Sequence, residues 1–243
     1  MTGEENEVTE VSKAIQETAK ASGKAIDAVS SLCKFVAGIT FGSITQAIGI
    51  VEDKLIYMRW ERQVRFIKKA EALLEELGLS GKQRPVPMSI AIPLLQSAFI
   101  EEDDELQDLW AQLLANAANK SYKREIRRAY ISILQDLTSL DAQIMQKLLM
   151  VPEKYQNKHL FTYKLPDEFV FEKPAGERRF PDQAVLISLA NLARLGLIAG
   201  TMLISGEIIF NEILPTRLGY DFILACTHGQ YETTQPIGAP DRR

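Results

Sequence analysis

Two histidines, His159 and His228, and two cysteines, Cys33 and Cys226, are the whole supply of imidazole and thiol in this chain of 243 residues. Cys226 lies two residues before His228, and a thiol beside an imidazole is the pairing that makes a thiolate nucleophile. Here the cysteine falls at the end of an expected helix, and no third group stands ready to orient the histidine. Two distant cysteines make neither a disulfide framework nor a zinc site. The acidic run Glu101–Glu105 could hold a cation, but it lacks the ligand spacing of a calcium loop. A helix start in water explains it more simply. No G-x-S-x-G, Walker A or H-E-x-x-H pattern occurs. No catalytic residue, metal ligand or cofactor site is therefore expected, and the chain reads as a non-enzyme.

Other residues could do the chemistry of contact. Between Lys34 and Glu52 there is no charge, which leaves about seventeen residues, the lower edge of the roughly 17–25 that cross a bilayer. Within them Gly38 and Gly42 form a G-x-x-x-G pair and Gly49 lies two turns on, a spacing that lets helix backbones approach closely. Thr40, Ser43, Thr45 and Gln46 lower the hydrophobicity, so a buried or self-associating helix stands beside membrane contact as a reading. Arg59, Arg62 and Arg65 follow at once, where a cytoplasmic membrane flank carries cations. A solvated helix face accounts for them equally.

The elements that must position these groups are mostly helical. Residues 1–32 carry a thin apolar stripe from Val8 to Leu32 and read as a marginal amphipathic segment. The amino terminus has no basic start or apolar run of a signal peptide. Residues 33–51 are the uncharged Gly-rich helix, and 52–137 a helical body. In that body Glu52 to Leu79 is one long helix, with Trp60, Val64, Ile67, Ala70 and Leu74 inward. Two helices joined by the acidic corner then span Pro87 to Lys120, the first capped by Ser89. In the second, Leu106, Leu109, Trp110, Leu113, Leu114 and Ala117 form a buried face, while Gln107, Asp108, Gln112 and Asn116 lie opposite. A further helix is expected over Lys123–Leu137.

Residues 138–226 change in grain. Thr138 and Asp141 fit a helix-start box. From Val151 to Phe180 the pattern is irregular, with short strands. Helix resumes at Pro181 and stops at Gly196. Two alternating runs, Leu197–Leu203 and Glu207–Leu214, suggest a hairpin around Ser205-Gly206. Thr216 then caps a last helix, and 227–243 reads as a disordered tail. Helix, excursion, helix, hairpin and helix outline a winged helix. The fold expected is thus mainly α, with a multi-helix body followed by a small winged-helix-like α+β part.

In a DNA reader the helix beginning at Asp182 would enter the major groove. That helix offers Asp182, Gln183, Ser188, Asn191 and only Arg194, and the hairpin adds Glu207 and Glu212. The net charge is -4. Phosphate contacts supply most non-specific affinity for DNA, so nucleic acid is disfavoured and a protein partner favoured for this helix.

PMSIAIPLLQSAFIEEDDELQDLWAQLLANAANK, LQDLTSLDAQIMQKL, LANLARLGLI and LPTRLGYDFILAC together resemble the abortive infection alpha (Abi-alpha) family over roughly Val86 to Cys226. Thr138-Ser139 departs from that family's Leu-Ser-Pro step, and Pro215 precedes Thr216. The resemblance implies a bacterial antiviral protein of phage-defence type, and it carries over no catalytic residues. On this reading the C-terminal part binds a protein partner or phage trigger. The Gly-rich helix acts by self-association or at the inner face of the membrane. A winged-helix DNA-binding regulator and a soluble helical scaffold are the alternatives.

Overall fold

The computed structural model describes residues 34–40, 60–78, 83–155 and 158–227. The expectations for residues 1–32, for most of the Gly-rich segment including Gly42 and Gly49, for Arg59, and for His228 and the tail lie outside the described residues. Among those described the chain is mainly α-helical, with a small three-stranded antiparallel sheet near its C-terminal end. Contacts divide it into two compact units, Met1–Ile100 and Glu101–Arg243, with the division at the acidic corner.

The first unit contains a helical stretch over 34–40, helix α1 (Trp60–Glu76) and helix α2 (Met88–Ile100). Helix α1 buries Gln63, Phe66, Ile67, Ala70 and Leu74. The inward face is therefore turned towards Phe66 and includes a glutamine, and Val64 is only half-buried. Phe66 meets Phe99 of α2 edge to face at 5.7 Å, an arrangement that the ring quadrupoles favour. The α2 helix starts at Met88, and the Pro87 carbonyl accepts the N–H groups of Ile90 and Ala91. Ser89 accordingly lies inside the helix and does not cap it. Pro93 is accommodated within this helix. Ser97 Oγ donates to the Pro93 carbonyl at 2.9 Å.

The second unit begins with helix α3 (Asp104–Ala118), capped by Asp103, whose carboxylate accepts the N–H groups of Glu105 and Leu106. Glu101 Oε1 accepts those of Glu102 and Asp103. The acidic corner is thus a capping device set where the helix dipole favours negative charge. From Leu106 to Ala118 every residue of α3 except Asp108 is buried. Gln107, Gln112 and Asn116, expected on a polar outer face, are interior. Trp110 is core.

Helix α4 (Arg128–Gln135) is shorter than the helix expected from Lys123, because the preceding residues hold other structure. Asn119 Oδ1 accepts the Ser121 N–H, and Arg124 pairs with Asp221. Helix α5 (Ser139–Leu149) starts with the expected box: Thr138 Oγ1 accepts the Asp141 N–H, and the Asp141 carboxylate accepts the Thr138 N–H. Strand β1 (Leu160–Phe161) follows. Then comes an irregular stretch in which Val170 folds back to bridge Phe161. Helix α6 (Gln183–Arg194) is capped by Asp182, so Pro181 precedes the cap instead of opening the helix. Gly196 (φ 74°) ends it in the left-handed conformation, with the Leu197 N–H donated to the Leu192 carbonyl.

Strands β2 (Ile198–Met202) and β3 (Ile208–Pro215) form the hairpin, and the sheet order is β1-β3-β2. Helix α7 (Arg217–Ala225) is capped by Thr216 and packs on α3 and α5. Gly219 sits so close to the strand start that a Cβ would come to 2.1 Å from the Leu197 carbonyl oxygen. No L side chain fits there. Replacing Gly219 with Ala should cost about 3 kcal/mol or more, the upper range for overpacking, read as a lowered denaturant midpoint.

Candidate functional site

The small α+β C-terminal part presents helix α6 and the β2–β3 hairpin at its surface. The α6 residues singled out from the sequence have separate fates. Asp182 is spent on the cap, its carboxylate accepting the Val185 N–H at 2.9 Å. Gln183 is exposed and Ser188 is buried. Asn191 Nδ2 donates to the Asp136 carbonyl at 2.9 Å and to Asp141 Oδ2 at 3.0 Å. Arg194 reaches Asp136 Oδ2 at 3.0 Å and also donates to Asn191 Oδ1. Asn191 and Arg194 therefore tie α6 to the corner between α4 and α5. What α6 leaves to solvent is Gln183, Ala184, Ile187 and Ala190, with Ile187 63 % exposed.

The hairpin continues this character. Gly206 (φ 84°) donates its N–H to the Leu203 carbonyl and turns the chain. At the tip Met202 is 70 % exposed, Ile208 52 % and Ile204 fully exposed. Met202 and Ile208 are direct cross-strand partners, so their side chains share one face. The sequence already showed a hairpin without Lys or Arg. That these large apolar side chains stand in water was not legible there, since alternation alone does not say which face the core takes. Exposed apolar groups gathered in one place are the informative departure from ordinary surfaces.

The charges nearby are acidic. Glu207 is exposed at the turn, and Glu212 is half-buried, with His159 Nδ1 at 3.8 Å. That places one of the two histidines beside a carboxylate on the sheet.

The remaining candidates lie elsewhere. Gly38 is on the exposed side of 34–40, where an added Cβ would meet nothing within 4 Å, while Phe35, Val36 and Ile39 are buried. Arg62 donates to the Ile100 carbonyl at 2.9 Å, satisfying the end of α2, and Arg65 is exposed. Among the described residues no helix is long and apolar enough to cross a membrane. Among them also, no group of three or more His, Cys, Asp or Glu could hold a metal ion. Cys226 is buried, and burial pushes its thiol above the ordinary value, which disfavours a thiolate.

A family model, abortive infection alpha, matches residues 61–226. The chain belongs to that family. Membership places it among proteins of abortive-infection-type phage defence. No curated protein and no solved structure matches it. The matched span of this Abi-alpha protein includes α6, the hairpin and the close packing at Gly219.

Two outcomes follow. Asn191→Ala should lower stability by about 1–3 kcal/mol, since it leaves Asp141 Oδ2 short of a donor in a buried setting; chemical denaturation reads this. Burial pushes the Tyr220 hydroxyl up from 10.0 to about 12, and it raises Tyr122 and Tyr130 as well. The folded state holds these phenols protonated. The contribution of Tyr220 to stability is whole below pH 10 and is lost as pH rises from 10 to about 12. Tyrosinate absorbance should rise there together with loss of helical circular dichroism.

Proposed function

We propose that this Abi-alpha protein acts without catalysis, and that its winged-helix-like part binds a protein partner or a phage trigger through the free face of α6 and the hairpin. The observation that carries this reading is the tip formed by Met202, Ile204 and Ile208, exposed and apolar where a DNA reader would present cations. Ile187 adds to it from α6. The one cation of α6, Arg194, is already engaged by Asp136 and Asn191. A protein surface matches such a face better than a polyanion does.

The effect of binding is assigned to the Gly-rich segment 33–51, acting by self-association or at the membrane. Gly38 supports this by position: its open side permits close approach of a second helix without disturbing Phe35, Val36 or Ile39. Arg65 is exposed on the following helix.

Cells expressing the wild-type chain should restrict phage plating, and Ile187→Asp together with Ile204→Asp should abolish restriction while thermal stability stays within a few degrees. Restriction unchanged in that double variant would refute the binding surface. Replacing Gly38 and Gly42 with Leu should remove cell killing and leave the fold intact. Toxicity retained in it would refute the role of the Gly-rich segment.

A further inference from the structure

The two edges of the small sheet are treated differently. On the β1 side the irregular stretch returns to close the edge: Phe161 and Val170 exchange both backbone hydrogen bonds, at 2.8 and 3.0 Å. On the β2 side no further strand follows, among the described residues, in the sheet order β1-β3-β2.

The direction of each backbone group on β2 follows from its neighbours. The Thr216 N–H donates to the Leu197 carbonyl, and the Leu203 N–H donates to the Glu207 carbonyl. Leu197 and Leu203 thus face β3. In an antiparallel ladder this orientation alternates every residue, so Ile198, Gly200 and Met202 turn their N–H and C=O groups away from β3; Ile198 is buried, and the accessible groups are those of Gly200 and Met202. The irregularity in the ladder does not disturb that row. Between Gly200 and Thr201 the partner on β3 jumps from Ile213 to Ile209, so the extra residues belong to β3. The open strand itself runs on without an inserted residue.

Sheet edges are normally blunted by charges, proline or a covering element. From Leu195 to Gly206 this chain has neither a charge nor a proline. Beside the edge stand Met202, Ile204 and Ile208, exposed and apolar. Glu212 accepts from Thr201 of β2 at 3.3 Å and Glu207 is exposed at the turn, two carboxylates that disfavour an acidic visitor.

We propose that the open edge of β2 captures an extended segment of a protein partner as a fourth strand. The occupant is a strand of apolar residues at alternate positions, neutral or basic at its ends. Its backbone pairs with Gly200 and Met202. Its side chains on one face pack on Met202 and Ile208, and Ile204 closes the end near the turn. Main-chain pairing supplies affinity, and the alternate apolar contacts supply selectivity. This rests on the reading that the C-terminal part binds a protein, and it names the chemistry of that partner.

The test uses the full-length protein as bait for a displayed library of random twelve-residue peptides, with the best binder synthesised as the probe. Selected peptides should alternate apolar residues and lack proline and acidic residues in their centre. On binding, the amides of Gly200 and Met202 should slow in hydrogen exchange at least tenfold. Met202→Pro removes an N–H that faces away from β3, so the hairpin persists, and peptide binding should fall at least tenfold at unchanged melting temperature. Ile204→Lys, a second variant that keeps the backbone intact, should weaken binding as well. Binding that survives both variants, or protection confined to other amides, would overturn the proposal. Protection of these two amides by protein concentration alone, without peptide, would assign the edge to a second copy and would also overturn it. These readouts come from purified protein. A loss of phage restriction is measured in cells, so failure of the strand-capture proposal leaves the broader binding reading to its own assay.

Discussion

The second unit depends on the burial of helix α3 along nearly its whole length. A helix that meets protein on all sides has to satisfy its polar side chains internally, and Asn116 shows how. Its Nδ2 donates to the carbonyls of Ala225 and Thr227 at 2.9 and 3.1 Å, so a residue in the middle of the chain closes the end of the last helix, α7. At the other end of α3, Asp103 serves as its cap while its second carboxylate oxygen accepts from Ser139 Oγ at the start of α5. One helix thereby fixes the entry of α5 and the exit of α7. Hydrogen bonds of this kind add modestly when formed, but leaving such groups unpaired in the interior is costly, which makes the arrangement selective.

The exposed face of α6 and the hairpin follows from that framework. Helix α5 packs against α6, and Asp141 links them: one carboxylate oxygen accepts from both Thr138 N and Asn191 Nδ2. The same residue that starts α5 therefore orients α6. Arg194 and Asn191 complete the junction with Asp136, and the side of α6 left over is short, apolar and uncharged apart from its ends. Gly219 brings α7 against the backbone of Leu197, which holds the start of β2 and sets the direction in which the hairpin projects. Asn191 and Arg194 of α6 are engaged by other parts of the fold, and the apolar side chains of the hairpin tip stand in solvent. That inversion is the main physical argument for a protein-binding surface.

Some of the site was open to reading from residue types alone. The absence of Lys and Arg in the hairpin and the scarcity of cations on α6 were enough to disfavour nucleic acid. The exposure of Met202, Ile204 and Ile208 was not, because the period-two pattern of a strand marks two faces without saying which one is covered. Asn191 and Arg194 looked like reading groups for the same reason. A polar side chain on a helix carries no label for the partner it will find, and theirs lies more than fifty residues away in the chain, at Asp136. The edge position of β2 was equally hidden, since strand order depends on the distant β1 pairing with the other side of β3.

Local signals determined the caps and ends. Thr138 with Asp141, Asp103, Thr216 and Gly196 act over one turn of chain, and their hydrogen bonds need nothing from the rest of the molecule. The order of elements, the mainly helical class and the hairpin were determined in the same way, by periodicity and turn residues. Tertiary structure decided what depends on distant surfaces. Gln107, Gln112 and Asn116 have the composition of an outer face, yet they are interior because other elements surround α3. Helix α4 begins at Arg128 instead of Lys123, where Arg124 is drawn to Asp221 of α7. Helix propensity is a matter of tenths of a kcal/mol per residue, and one such long-range contact is enough to override it.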